Sequence, residues 1–359
     1  MSSATITAKT AVSESFQSVS LFKKRLKKFR SLKRGYYSFL LIVVAYIVSF
    51  LAPLLMNYKA LVVRYDGRLH FPVFKFYEGK VFGQDIYGEA DYRRLKESFS
   101  AEDKGNWVLM PPYPFGPYES LTDPSGTPPN PPSRQHWFGT DDRGRDVFVR
   151  LVYGFNISLS FALICTAIAY AIGISVGAAL GYFGGKFDIF AQRLIEIWSS
   201  MPFLYTIIIV SSIIRPNFAL LVFLLVLFGW MGMTYYIRGE FYREKAKDYV
   251  HAAISMGAGD RKIVFKHILP NALTPVIALG PFHIVADIFA LVSLDFLGFG
   301  LPPPTPSWGE LLGQGVNNVH SWWLTFFPFG AMFCTLLMVV FIGEGVRQAF
   351  DPREYSRLR

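Results

Sequence analysis

Residues 248–271, from Asp248 to Asn271, read DYVHAAISMGAGDRKIVFKHILPN, a mixed and charged stretch held between two long apolar runs. It ends at a proline, where the second run begins. Asp248 stands at a helix N-cap position ahead of apolar residues at helical spacing, and Gly257 to Gly259 supply a turn. Asp260 stands as a second cap before Ile263, Val264 and Ile268, so the spacing predicts two short helices joined at a bend. A polar hairpin held out of a membrane by flanking spans is a surface on which another protein can push.

The flanking runs decide the class. The chain is 52% apolar and 17% charged, below the roughly 25% charge of soluble domains. Six apolar runs, at 36–56, 155–182, 194–214, 218–236, 271–294 and 322–343, are each long enough to cross a hydrocarbon core of about 30 Å. The expected fold is therefore an all-α polytopic membrane protein of six transmembrane helices. The net charge of +10 sits in segments beside these runs, which fits an anionic membrane face and argues against nucleic acid. Cys165 and Cys334 lie inside apolar runs as small hydrophobes and imply neither a disulfide nor a zinc site.

Lys and Arg are retained on the cytoplasmic side of short loops. The N-terminal tail holds nine, the loop 238–270 seven and the C-terminal tail four, against Arg215 alone at 215–217 and none at 298–321. Both termini and the hairpin are thus expected in the cytoplasm. The chain divides into a tail with a basic segment (1–35), a first span (36–56), an extracytoplasmic insertion (57–150), a five-helix core (151–346) carrying the loop 238–270, and a cytoplasmic tail (347–359). The first 20 residues are Ser/Thr/Ala-rich and expected to be disordered. For 21–34, an interfacial amphipathic helix and a plain positively charged flank are both open. The insertion carries thirteen basic and thirteen acidic residues, a hairpin signal around Asp66-Gly67 and a Pro-rich stretch at 111–132, which together read as a cap of mixed structure.

No phosphate-binding loop is present, since Gly184-Gly185-Lys186 lacks the leading spacing and the hydroxyl, and no metal-ligand spacing or nucleophile elbow occurs. The chain is therefore not expected to be an enzyme or to bind a cofactor or metal, and any ATP is used by a separate subunit. Gly173, Gly177 and Gly181 recur every fourth residue as a small-residue face. A seam against a second subunit and packing within this one are both open for it. Ionisable residues within spans are costly and are candidates for function. Asp287 is the most central and Asp295 lies near a span end, so both are candidates for a translocation path; a charge satisfied by a neighbouring helix is the other reading of Asp287.

The hairpin resembles the EAA loop of ABC importer permeases, whose pattern is E-A-A, three residues, Gly, nine residues, then I-x-L-P. Ala252, Ala253, Gly257, Leu269 and Pro270 fall on it, whereas His251 and His267 stand in place of the acidic residue and the Ile. The resemblance implies docking into a cleft of an ABC ATPase. In that role Tyr249 and Met256 are apolar anchors, Ala252 and Ala253 allow close approach, and Gly257 and Asp260 shape the bend. Leu269-Pro270 would connect it rigidly to the next span. FGTDDRGRD at 138–146 and PTPSWGELL at 304–312 resemble signatures of the peptide-type permeases, the family of dipeptide and oligopeptide importers. Thr140 or Asp141 is expected to cap the helix after the first signature, and Trp308 in the second to anchor at the membrane interface. RYDG at 64–67 and NWVLMPP at 106–112 are similar to the subgroup associated with microcin C and oligopeptide uptake.

This resemblance implies the type I ABC importer permease fold in a bacterial inner membrane. The implied partners are a second homologous permease subunit, one or more ABC ATPase subunits, an extracytoplasmic solute-binding protein and a peptide substrate. A secondary transporter without an ATPase, and a membrane-anchored structural or signalling protein, are the competing classes.

Overall fold

The computed structural model describes residues 21–102, 105–120 and 127–350. The first 20 residues, part of the Pro-rich stretch and the tail after Phe350 lie outside the described residues.

The basic segment forms a helix, α1 (Leu21–Ser31), which turns into the first span, α2 (Lys33–Phe50). It rests against the rest of the protein. Phe29 seats where Gly35 of α2 meets Gly345 of the last helix, and Arg25 lies 4.8 Å over the Phe350 ring. One turn, α3 (Ala52–Leu55), leads into the insertion.

There β1 (Val62–Tyr65) and β2 (Arg68–His70) pair antiparallel, with Val63 opposite His70 and Tyr65 opposite Arg68. Asp66 at φ 48° and Gly67 at φ 75° make the two-residue turn whose positive angles Asp-Gly tolerates. A helix, α4 (Tyr92–Glu102), follows, then β3 (Trp107–Leu109), which gives the sheet order β2-β1-β3. Tyr92, Leu95 and Phe99 recur at helical spacing on α4 and close a small core over Val63 and Val108. β3 is too short for any alternation to be read from its three residues, whereas α4 shows its helical spacing in Tyr92, Leu95 and Phe99.

The bundle begins with α5 (Val147–Phe183), capped by Asp146, whose carboxylate accepts from the Val149 N–H at 2.9 Å. The cap is thus Asp146 and not the expected Thr140 or Asp141. The apolar run expected as one span at 194–214 is instead a bent pair, α6 (Gly185–Ser199) and α7 (Phe203–Ile213), at 64°. The break falls at Pro202, which has no N–H to continue the ladder and whose ring obstructs the preceding turn. Then come α8 (Phe218–Lys245), the short α9 (Asp248–Ser255), the long α10 (Asp260–Phe296), α11 (Trp308–Asn317) and α12 (Trp323–Phe350). Five helices are long and apolar enough to cross a membrane, and the bent pair brings the number to six.

The most extensive packing is α5 against α8, and the glycine stripe produces it. A Cβ on Gly173 would lie 2.7 Å from the Trp230 carbonyl, one on Gly177 2.6 Å from the Thr234 carbonyl, and one on Gly181 2.8 Å from the Arg238 carbonyl. The stripe therefore faces α8 of the same chain and brings the two backbones together. At the hairpin side of the bundle, Ala178, Met233, Ile237, Phe241, Val250 and Ile263 form one apolar cluster, so the hairpin shares its core with the spans. At the insertion side, Val147, Leu151, Ile288, Trp308 and Leu324 form another.

Candidate functional site

The hairpin differs in detail from two capped helices. Lys247 and Gly259 occupy the N-cap positions without side-chain capping bonds, so Asp248 and Asp260 are each the first helical residue. The carboxylate of Asp260 is used elsewhere, accepting from the Tyr182 hydroxyl at 2.6 Å and fastening the bend to the end of α5. Gly257 has φ +78° and no neighbour within 4 Å of a built Cβ, so it is needed for its backbone and leaves the space around it open. The second arm is no separate helix. It is the start of α10, joined through π-helical turns at Ile263–Ile268, where Leu269 N–H donates five residues back to Val264. Pro270 follows at once, and its missing N–H suits a ladder that has widened there.

Tyr249 holds the two arms together. Its hydroxyl lies 2.8 Å from the Glu244 carboxylate and 3.2 Å from the His267 carbonyl, and it accepts from the Asn271 amide at 3.2 Å. Burial, and then the bond to Glu244, push its pKa above the ordinary phenol range. Tyr249 is thus engaged within the chain and is less an anchor for a partner than a brace. Ala253 is 2% exposed and faces inward, which corrects its expected place on the docking surface. His251, Ala252, Met256, Gly257, Asp260 and Pro270 are exposed, His267 and Leu269 half-buried. Met256 is 80% exposed, Ile254 48% and Phe265 63%, so the hairpin carries three bulky apolar side chains outside the fold. Ile254 and Phe265 escaped the motif, which names small residues and not the bulky ones between them.

Beside the hairpin, Asp188 at the start of α6 is buried and accepts from Arg238 of α8 at 2.6 and 2.5 Å and from the Tyr242 hydroxyl at 2.8 Å. This ties the bent pair to the helix that carries the hairpin.

The two aspartates within α10 sit in different settings. Asp295 accepts from Ser307 Oγ at 2.5 Å and from the Leu301 N–H at 2.7 Å, while Ser307 caps α11. It is a brace for the α10–α11 connection. Asp287 accepts from the Thr166 hydroxyl of α5 at 2.7 Å.

At the opposite end of the bundle, the two signatures meet. Arg145 donates to Asp141 at 2.7 Å and to Glu310 of α11 at 2.9 Å, and Arg150 pairs with the other oxygen of Glu310. Arg150 also donates to the carbonyls of Pro117 and Pro304 at 3.0 and 3.2 Å. Burial lowers the pKa of Arg145, but Asp141 and Glu310 outweigh it and leave the group above its ordinary value. Asp146 adds contacts to Tyr113 and His136, both at 2.7 Å. Trp308 is 1% exposed, and its indole donates to the Leu151 carbonyl at 3.0 Å. It is a core residue and not the expected interfacial anchor, because α11 folds back over the end of α5.

A polar hairpin continuous with a span, two paired signatures and a bundle of five to six candidate spans form one ensemble. The family described as the binding-protein-dependent transport system inner membrane component matches residues 169–354, which take in the hairpin and most of the bundle. The chain belongs to this family. It is a multi-pass permease subunit of an ABC transporter in the inner membrane, and ATP is handled by an ATPase partner. That membership removes the secondary-transporter and structural-protein readings. The permease is 44% identical over 331 residues to the inner membrane ABC transporter permease protein YejE of Escherichia coli (strain K12), covering 92% of this chain and 96% of that one. It is 37% identical over 361 residues to the peptidoglycan transport system permease protein YejE of Agrobacterium fabrum, covering 93% and 94%. It is 36% identical over 278 residues to the dipeptide transport system permease protein DppC of Bacillus subtilis, covering 74% and 86%.

Proposed function

We propose that this permease carries peptides inward, driven by an ABC ATPase that grips the hairpin at 248–271. The observation that carries the reading is the exposure of three bulky apolar side chains, Ile254, Met256 and Phe265, on a hairpin continuous with α10. Exposed apolar side chains are what a partner cleft requires, and a hairpin that runs on into a span can pass a push into it. His251, Ala252, Gly257 and Pro270 complete the contact, with Tyr249, Ala253, Asp260 and Leu269 holding its shape. The peptide reading rests on the two signatures and on the relative named for dipeptides; the subgroup motifs at 64–67 and 106–112 extend it to oligopeptides of the microcin C kind.

With Lys and Arg counted as above, the hairpin and both termini lie in the cytoplasm and the insertion outside, beneath a solute-binding protein. A second homologous permease completes the path. Its seam is the bent pair, where Phe190 of α6 and Tyr205 of α7 are 67% and 68% exposed, because the glycine stripe is already used by α8. The test is uptake of a labelled peptide by the reconstituted complex, with parent and Met256→Glu compared. Normal uptake by the variant, or uptake without ATP by the parent, would sink the reading.

A further inference from the structure

The seam between α5 and α10 contains a polar ladder in the middle of the spans. Thr166 and Tyr170 are four residues apart on α5, His283 and Asp287 four apart on α10, so each pair shares one helix face. The two helices run antiparallel, which sets the pairs in register. Thr166 donates to Asp287 at 2.7 Å, and one turn nearer the hairpin Tyr170 and His283 meet edge to face at 5.1 Å.

The ladder is under-bonded. An ionised carboxylate offers about four acceptor sites, and Asp287 receives one neutral hydroxyl. Among the described residues no Lys or Arg is paired with it, in contrast to Asp141 and Asp188, each of which holds a guanidinium. The Tyr170 hydroxyl is buried and has no hydrogen-bond partner at all. Buried polar groups left open in this way are the exception in proteins and call for a reason. A carboxylate, a phenol oxygen and an imidazole on one seam accept together what a protonated amine donates, three N–H bonds and a positive charge. His283 and Asp287 are half-buried and Ala286 between them is exposed, so α10 is open beside the seam.

We propose that Asp287, Tyr170 and His283, with Thr166 orienting the carboxylate, bind a protonated amine of the cargo during its passage. This rests on the reading of the chain as a peptide permease. The experiment uses the complete transporter in proteoliposomes and two labelled peptides of one sequence, one with a free amino terminus and one N-acetylated. For each, uptake by a variant is divided by uptake by the parent, which cancels any selection made before the membrane. Asp287→Asn should lower that ratio for the amine-bearing peptide about tenfold relative to the acetylated one, the loss of one charge-assisted bond. Tyr170→Phe removes a hydroxyl with no partner to strand, so it folds as the parent does, and should shift the same ratio two- to threefold in the same direction, a neutral bond's share. Equal ratios for the two peptides in both variants would overturn the site. Loss of the assembled complex in Asp287→Asn with equal ratios in Tyr170→Phe would overturn it too, and would make Asp287 a counter-charge for another subunit. If the parent carries neither peptide, the peptide reading itself has failed, and this site falls with it.

Discussion

At the insertion end of this permease Asp141, Arg145 and Arg150 are at most 1% exposed, and Glu310 meets both arginines; at the hairpin end Ile254, Met256 and Phe265 are apolar and stand outside the fold. Each arrangement is costly by itself. Charges taken out of water lose several kcal/mol of hydration and hold only when paired, whereas exposed apolar groups wait for a partner to cover them. The difference shows which end is complete within one chain. The charged network closes the insertion end and fixes α11 on α5, so that motion has a firm frame. The exposed apolar side chains leave the hairpin end uncovered within this chain, and it is there that we propose the ATPase partner takes hold.

The contrast is broken most severely by Glu310→Ala. Arg150 would be left buried with only Asp141, 3.5 Å away and shared with Arg145, as counter-charge, and the expected cost is about 3–5 kcal/mol. Thermal unfolding in detergent should show a large fall in Tm; a parent-like Tm would mean that water reaches the network and the end is not closed. Next comes Gly177→Leu, which drives side-chain atoms against the Thr234 carbonyl between the two ends, with an expected loss of about 1–3 kcal/mol on the same assay. Tyr249→Phe removes the brace beneath the hairpin and should cost about 1 kcal/mol, with faster hydrogen exchange confined to 248–271. Met256→Glu should leave stability within about 0.5 kcal/mol of the parent, as an exposed substitution does, yet abolish ATPase retention on purification. A fall in Tm with the ATPase retained would reverse the roles given to the two ends.

A last, local effect belongs to the insertion. Burial, and then Glu89, push the pKa of Tyr58 from the usual 10.0 up to about 12. The folded chain keeps that proton where the unfolded chain has lost it, so the contribution is whole below pH 10 and disappears as pH rises toward 12. Fluorescence of Trp107 on β3, followed through alkaline titration, should therefore change in the parent at a lower pH than in Tyr58→Phe.

Much of this was legible in the residues. The apolar runs located five spans closely because burial in hydrocarbon demands continuous hydrophobicity, and Asp66-Gly67 located the β-hairpin because few dipeptides accept two positive angles. The sixth run hid a bend, although Pro202 stood inside it, since a proline within a long apolar run is compatible with both a kink and a break. Spacing locates the hairpin at 248–271 but not the face of Ala253, which is buried: alanine carries no polarity by which to choose between partner and core. Glu310 escaped notice as the mate of Arg145 and Arg150 for a different reason. The two signatures are far apart in the chain, and each reads locally as a sensible loop.

The sequence alone therefore determined where the apolar helices lie and in what order, the place of the hairpin between them, and the need for glycine at 257, because hydropathy and a positive φ are properties of neighbouring residues. Only the tertiary structure decided that the stripe of Gly173, Gly177 and Gly181 belongs to α8, that Trp308 is core, and that Asp295 is bonded to Ser307 while Asp287 is left nearly open. Those outcomes depend on which helix arrives as a neighbour, and a long helix presents every one of its faces to the sequence on equal terms until another packs against it.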